Sequence, residues 1–153
     1  MVQYKVGDLI EAAVKGQLPR PCVIPHVCNN QGIWGAGFVV PLKNAFPRAF
    51  ESYKKSIRQL GSTSWCEVKP GLWIANMVAQ TLAQERPLWY EALVECMKEV
   101  GLTALEYGYS ICCPRFGAGL AGGKWEVIEE LILDIWIRRG IPVQVWSLPC
   151  ATD

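Results

Sequence analysis

The chain has one histidine, His26, which stands three residues before Asn29-Asn30 and the glycines that follow them. An imidazole titrates near neutral pH, so His26 can act as a general acid, a general base or a nucleophile. The alternative is a hydrogen-bonded histidine at the end of a buried strand. One histidine excludes a multi-histidine metal site, and we expect neither a metal nor a cofactor.

Two glycine-rich segments each follow a predicted buried strand. The first reads HVCNNQGIWGAG over residues 26–37, and the second reads PRFGAGLAGGKW over residues 114–125. In open α/β sheets, ligands bind beyond the carboxyl ends of the strands. Glycines let backbone N–H groups approach an anion, and the start of a following helix adds its dipole. The pair predicts a cradle for a diphosphate that needs no Lys or Arg. Neither segment matches the Walker pattern GxxxxGK[ST].

The seven cysteines are odd in number and none is spaced as a CxxC pair. This usage favours reduced, mostly buried thiols over a disulfide framework or a zinc site. No apolar stretch reaches the roughly 20 residues that a membrane span needs. We therefore expect a soluble, cytoplasmic protein. The cysteines are Cys22, Cys28, Cys66, Cys96, Cys112, Cys113 and Cys150.

Strands and helices alternate along the predicted elements. An alternating pattern predicts an edge strand, apolar runs predict buried strands, and Gly71 predicts the turn of a β-hairpin. The predicted strands cover residues 2–6, 22–27, 65–68, 72–78, 109–113 and 143–147. The predicted helices cover residues 10–15, two parts of 35–60 broken near 45–47, a long stretch opened by Pro87, and 125–138. This order predicts one domain over residues 1–153, a three-layer α/β/α sandwich with a mixed, mostly parallel central sheet.

The charge balance limits the classes of partner. Fifteen Lys and Arg against fourteen Asp and Glu give a net charge of +1. Duplex nucleic acid and anionic membranes bind mainly through net positive charge, so we expect neither as a partner. The oligomeric state is open, with a monomer favoured. An apolar content of 51% is enough for a full core.

Together these segments resemble a macrodomain over nearly the whole chain. The resemblance rests on GDL at 7–9, HVCNNQGIWGAGF at 26–38, FPRAFESY at 46–53, IANMVAQ at 74–80 and CPRFGAGLAGGKWEVIEELI at 113–132. Within that superfamily it is most similar to the branch related to ADP-ribose-1″-phosphate phosphatases. It implies a macrodomain-like fold, ADP-ribose or ADP-ribose-1″-phosphate as ligand, and hydrolysis of that ester to ADP-ribose and phosphate.

The resemblance also implies a set of site residues. His26, Asn30 and Gln80 are the expected catalytic residues, and Asn29 is expected to reach the distal ribose with Asn30. Asp8 would accept a hydrogen bond from the adenine amino group; the alternative is a helix-capping aspartate. Trp34 either closes over the distal ribose or packs under its loop. The other expected ligand contacts are Leu9, Gly35, Ala36, Gly37, Phe116, Gly117, Ala118, Gly119 and Leu120.

Two departures from the family count against one of its activities, the removal of ADP-ribose from glutamate. Macrodomains that remove ADP-ribose from glutamate use a Lys after the middle strand and an Asp in the second loop. Here Gln80 or its neighbours and Ala121 stand at those positions, and Gln80-Thr81-Leu82 replaces a Gln-His-Gly motif. The alternatives are a non-catalytic module that binds ADP-ribose or an ADP-ribose-derived signal and, ranked lower, an ADP-ribosyl or O-acyl-ADP-ribose hydrolase.

Overall fold

A computed structural model describes residues 1–82 and 87–149 of the chain. Its strands form one sheet in the order β1-β6-β5-β2-β4-β3, and every neighbouring pair is parallel except β3 with β4. The strands are β1 (Gln3–Val6), β2 (Cys22–Asn29), β3 (Thr63–Lys69), β4 (Leu72–Gln80), β5 (Ser110–Pro114) and β6 (Val143–Ser147). The helices are α1 (Leu9–Val14), α2 (Val39–Ala45), α3 (Pro47–Lys55), α4 (Tyr90–Tyr107) and α5 (Trp125–Ile135), the last followed by a 3₁₀ turn, Ile137–Arg139.

Successive side chains of the central strands point to opposite faces of the sheet. Both faces therefore carry apolar side chains, and helices cover both. On β2, Cys22 and Ile24 pack with α1, α2 and α3, whereas Val23 packs with α4 and α5. All three side chains are fully buried. The three-layer sandwich and the mixed sheet are therefore confirmed.

The hairpin predicted around residues 69–71 is present and supplies the antiparallel pair of the sheet. Gly71 has a φ of +76°, a conformation that favours glycine in a tight turn. β2, β4 and β5 all run in the same direction. Their carboxyl ends consequently meet at one edge of the sheet, where both glycine-rich segments begin.

Several predicted helix boundaries were wrong: α3 ends at Lys55 rather than near residue 60, α5 ends at Ile135 rather than residue 138, and two helices begin later than predicted. The long helix begins at Tyr90 rather than Pro87, because Leu88 forms a β-bridge with Gln80 and donates its N–H to the carbonyl of Ala121. α2 begins at Val39, so residues 35–38 are not part of a helix. The break predicted near residues 45–47 is present and lies at Phe46, between α2 and α3.

The described cysteines are free and buried, as the sequence indicated for them. Cys150 lies outside the described residues. In residues 1–82 and 87–149, no helix combines the length and the apolar character required to cross a membrane.

Charge is unevenly distributed over the two helical layers. The charged residues of α2 and α3 are basic apart from Glu51, and those of α4 and α5 are acidic apart from Lys98. The basic set is Lys43, Arg48, Lys54 and Lys55; the acidic set is Glu91, Glu95, Glu99, Glu106, Glu126, Glu129, Glu130 and Asp134. The net charge of +1 thus hides helices of opposite sign, +3 on α2 and α3 and −7 on α4 and α5, with the balance of positive charge lying outside these four helices.

Two adjacent residues of α5 test the packing of the α4–α5 layer. Ile132 is fully buried, whereas Leu133 is 40% exposed. We expect Ile132→Ala to lower the free energy of unfolding by about 2–5 kcal/mol, because it removes buried methyl groups and leaves a cavity. Leu133→Ala is the matched control and should cost less than about 1 kcal/mol. Urea denaturation measures both changes, and equal losses would contradict the described packing.

Candidate functional site

A cavity of about 490 Å³ lies at the carboxyl edge of the sheet, between the first loop (residues 30–38) and the second loop (residues 115–124). This volume is typical of small-molecule sites. Its lining includes most of the residues expected from the sequence: His26, Asn29, Trp34, Gly35, Ala36, Gly37, Gln80, Phe116, Gly117, Gly119 and Leu120. The expected residues Asp8, Leu9, Asn30 and Ala118 are not among those that line it.

The side chain of Asn29 shapes the first loop from within. Its amide nitrogen donates to the carbonyl of Ile33 at 2.6 Å. Its amide oxygen accepts from the N–H groups of Gln31 at 3.0 Å and Ile33 at 3.3 Å. The amide oxygen is fully engaged, since it also lies 2.8 Å from the Tyr53 hydroxyl, whereas the amide nitrogen keeps a second N–H with which Asn29 could contact a ribose.

Tyr53 on α3 fixes the same loop from below. Its hydroxyl lies 2.6 Å from the carbonyl oxygen of Asn29, to which it donates, and accepts from the N–H of Gly32 at 3.0 Å. Burial raises the pKa of Tyr53 to about 12, so the hydroxyl keeps its proton at neutral pH. Tyr53 was not among the predicted site residues, and the pattern of α3 indicates only that it is buried.

Trp34 packs under the first loop, which is the second of the two alternatives left by the sequence. It is 8% exposed and stacks on Tyr53 with ring centroids 5.4 Å apart. It also packs against Phe50, with ring centroids 5.2 Å apart, and against His26, whose ring meets it edge-on at 5.3 Å. Trp34 therefore links the tyrosine that fixes the loop to the histidine.

His26 lies on the cavity wall but is only 2% exposed. Its Nε2 is 2.6 Å from Oδ1 of Asn76. The amide nitrogen of Asn76 donates to Ser64 and to the carbonyl of Ala49, so its oxygen faces the histidine and Nε2 carries the proton. Burial lowers the pKa of His26 to about 4. At neutral pH the ring is uncharged, with its lone pair on Nδ1.

Asn30 and Gln80 meet where the first loop leaves the sheet. The N–H of Asn30 donates to the carbonyl of Gln80 at 3.0 Å. The side-chain oxygen of Asn30 is buried and has no hydrogen-bond partner within the described part of the chain. Gln31, which was not among the predicted site residues, connects the loop to Thr81 and Leu82 through both ends of its amide.

The second loop depends on close packing around its glycines. A Cβ on Gly123 would lie 2.4 Å from Leu88 Cδ2 and 2.5 Å from the carbonyl oxygen of Gly117. Leu120 is 72% exposed and extends across the cleft, where a Cβ on Gly37 would lie 3.3 Å from its Cδ1. The two loops therefore approach each other above the cavity.

Asp8 caps α1, which was the alternative role left open by the sequence. Its Oδ1 accepts the N–H of Glu11 at 3.0 Å. Leu9 beside it is buried in the core of the α1–α3 layer. A contact of Asp8 with adenine stays a prediction.

Arg115 is the functional candidate that sequence reasoning missed. Among the described residues that line the cavity, it alone carries a formal charge at neutral pH, since the pKa of Cys28 is raised by burial and that of His26 is lowered. Its place in the PRFGAG segment was the available signal. Within residues 1–82 and 87–149, no group of three or more His, Cys, Asp or Glu side chains is placed to hold a metal ion.

Comparisons with known proteins identify relatives that match over most of the chain. An ADP-ribose 1″-phosphate phosphatase of the yeast Scheffersomyces stipitis is 29% identical over 166 positions, covering 86% of this chain and 93% of that protein. A human ADP-ribose glycohydrolase, OARD1, is 23% identical over 96% of this chain and 91% of its own. A macrodomain protein from Streptomyces coelicolor has a solved structure with a TM-score of 0.81 and 34% identity, covering 96% of this chain and 99% of that one. No protein-family model matches the sequence.

The buried histidine makes stability depend on pH. The folded-state pKa of about 4 lies below the ordinary value of 6.5, so between these values the unfolded chain binds the additional proton. The free energy of unfolding should therefore fall as pH falls through this window, by about 3 kcal/mol in all at 1.36 kcal/mol per pKa unit. The full contribution is present above the window. Urea denaturation at a series of pH values measures the slope.

His26→Gln is the control for this pH dependence. It removes the titrating ring and leaves the carboxylates, so its slope should be shallower than that of the wild-type protein. Identical slopes for the two proteins would show that His26 titrates normally.

Two glycines of the second loop form a matched pair for its packing. Gly123→Ala places a methyl group against Leu88 and the backbone of Gly117, and we expect it to lower the free energy of unfolding by about 1–3 kcal/mol. Gly119→Ala meets nothing within 4 Å and should change stability by less than about 0.5 kcal/mol. Thermal unfolding compares them; a Gly123→Ala variant as stable as Gly119→Ala would contradict the described loop.

Proposed function

This chain belongs to the macrodomain family, and we propose that its cleft binds ADP-ribose and hydrolyses ADP-ribose-1″-phosphate to ADP-ribose and phosphate. One observation carries the binding proposal: glycine-rich loops after β2 and β5 form opposite walls of one cavity. Gly35 and Gly37 line one side, and Gly117 and Gly119 line the other. Backbone N–H groups can approach a diphosphate closely there because no Cβ intervenes.

The order of the strands suits an extended ligand. Asp8 follows the edge strand β1, whereas Gln80 ends β4, four strand positions away. At about 4.8 Å between neighbouring strands, the two ends are about 19 Å apart. We place adenosine towards Asp8, the diphosphate between the loops, and the distal ribose towards Asn30 and Gln80. Asn30 does not line the cavity and its unpartnered oxygen is buried, so a hydrogen bond from the ribose to this oxygen requires the first loop to shift.

For the hydrolytic step, we assign the proton transfer to His26. Among the described residues that line the cavity, its neutral ring is the side chain suited to take a proton from water at neutral pH, since no carboxylate or lysine lines it. Asn76 holds the Nε2 proton and thereby orients Nδ1 as the acceptor. Water then attacks phosphorus, the bond between phosphorus and the 1″ oxygen breaks, and the proton taken up by His26 passes to that oxygen as ADP-ribose leaves. Gln80 is the residue we expect to position the water. The name of the yeast relative supports this reaction.

A second candidate function is a module that binds ADP-ribose without turnover. The observation in its favour is the burial of His26, which leaves 2% of its surface exposed. An ADP-ribosyl or O-acyl-ADP-ribose hydrolase ranks third, supported by the name of the human relative, an ADP-ribose glycohydrolase. It ranks there because Gln80 and Ala121 occupy positions where a Lys and an Asp were expected for that chemistry.

Phosphate release from ADP-ribose-1″-phosphate, measured together with calorimetry of ADP-ribose, separates these functions. We expect turnover by the wild-type protein and a loss of about 10²- to 10⁴-fold in His26→Gln, the range typical of a general acid or base. Undiminished activity in a folded His26→Gln variant would remove His26 from the mechanism. Binding of ADP-ribose with no turnover by the wild-type protein would support the second candidate, and absence of binding would refute the proposal.

A further inference from the structure

We propose that Arg115 binds the diphosphate of the ligand through its terminal guanidinium nitrogens and makes affinity depend on charge. This inference rests on the proposed function and adds a residue to it, because the glycine loops offer only backbone N–H groups. Arg115 stands directly after β5, two residues before Gly117, at the start of the second loop. It lines the same cavity as both sets of glycines.

The cavity holds no other formal charge among its described lining residues. A diphosphate carries at least two negative charges and loses hydration when it enters the cavity. Without the charge of Arg115, backbone dipoles alone would have to compensate for that loss. A guanidinium presents a planar fork of donors that matches two phosphate oxygens at once. Arg115 is the residue of the lining with this chemistry.

Three neighbours hold the guanidinium of Arg115 in place. It lies 5.6 Å from the ring centre of Tyr4 and 5.2 Å from that of Trp125, within cation–π range. Its Nε donates to the Ser147 hydroxyl at 2.9 Å. Because these contacts already restrict the side chain, less conformational entropy is lost when it binds a ligand.

The terminal nitrogens of Arg115 are not engaged by the described part of the chain. Within residues 1–82 and 87–149 they form neither a hydrogen bond nor an ion pair of 4.0 Å or less. The nearby carboxylate of Glu129 instead accepts from the Tyr4 hydroxyl. The anchoring contacts therefore engage the ring faces and Nε, and leave both terminal nitrogens without a partner there.

Calorimetry with ADP-ribose at several salt concentrations tests this role. We expect Arg115→Gln to weaken binding by about 10- to 100-fold, as for the loss of hydrogen bonds to a charged group. It should also make the dependence of affinity on salt shallower, since one cation no longer meets the ligand. Arg115→Lys keeps the charge but not the fork, so it should keep the salt dependence and lose part of the affinity.

Arg20→Gln is the matched control, because Arg20 is exposed and its guanidinium donates to the carbonyl of Pro70, beside the turn before β4 and away from the cavity. It should leave both affinity and salt dependence unchanged. Weaker binding in Arg115→Gln with a wild-type salt slope would indicate a purely structural role and overturn the inference, as would undiminished binding. If the wild-type protein fails to bind ADP-ribose, the proposed function fails first and this inference falls with it.

Discussion

The hydroxyl of Tyr53 joins a core helix to the loop that forms one wall of the cavity. It is buried in the α1–α3 layer, where it donates to the carbonyl of Asn29 and accepts from the N–H of Gly32. The same ring supports Trp34, which in turn packs against His26. The loop that would face a diphosphate is therefore positioned by α3, and the histidine is enclosed by the same stack.

Much of the architecture was predictable because its signals are local. Apolar runs marked the buried strands, Pro47 marked the break between α2 and α3, and Gly71 marked the hairpin turn. Pro87 misled for an equally physical reason: proline suits the first turn of a helix, but it also suits an extended segment. Here the pairing of Leu88 with Gln80 and Ala121 keeps the segment extended until Tyr90. Such tertiary pairing leaves no mark in the sequence near Pro87.

The sequence predicted where the site lies, but it did not predict the hydrogen bonds and packing contacts of the side chains there. The two glycine segments indicated the correct edge of the sheet, and most of the residues chosen from them line the cavity. The amide oxygen of Asn29, in contrast, is occupied inside its own loop. The role proposed for Arg115 could be recognised only in the fold, because β1, β6 and α5 place Tyr4, Ser147 and Trp125 around its guanidinium. Contacts between segments so distant in sequence arise from the sheet order, which composition and spacing do not encode.

The opposite charges of the two helical layers change what a net charge of +1 means. Basic α2 and α3 lie on one side of the sheet and acidic α4 and α5 on the other, so the molecule carries a dipole moment across its thickness. Near its isoelectric point of about 7.5, such a protein still presents a cationic side and an anionic side. At low ionic strength it should adsorb to both cation- and anion-exchange surfaces, in opposite orientations, which a uniformly neutral surface would not do.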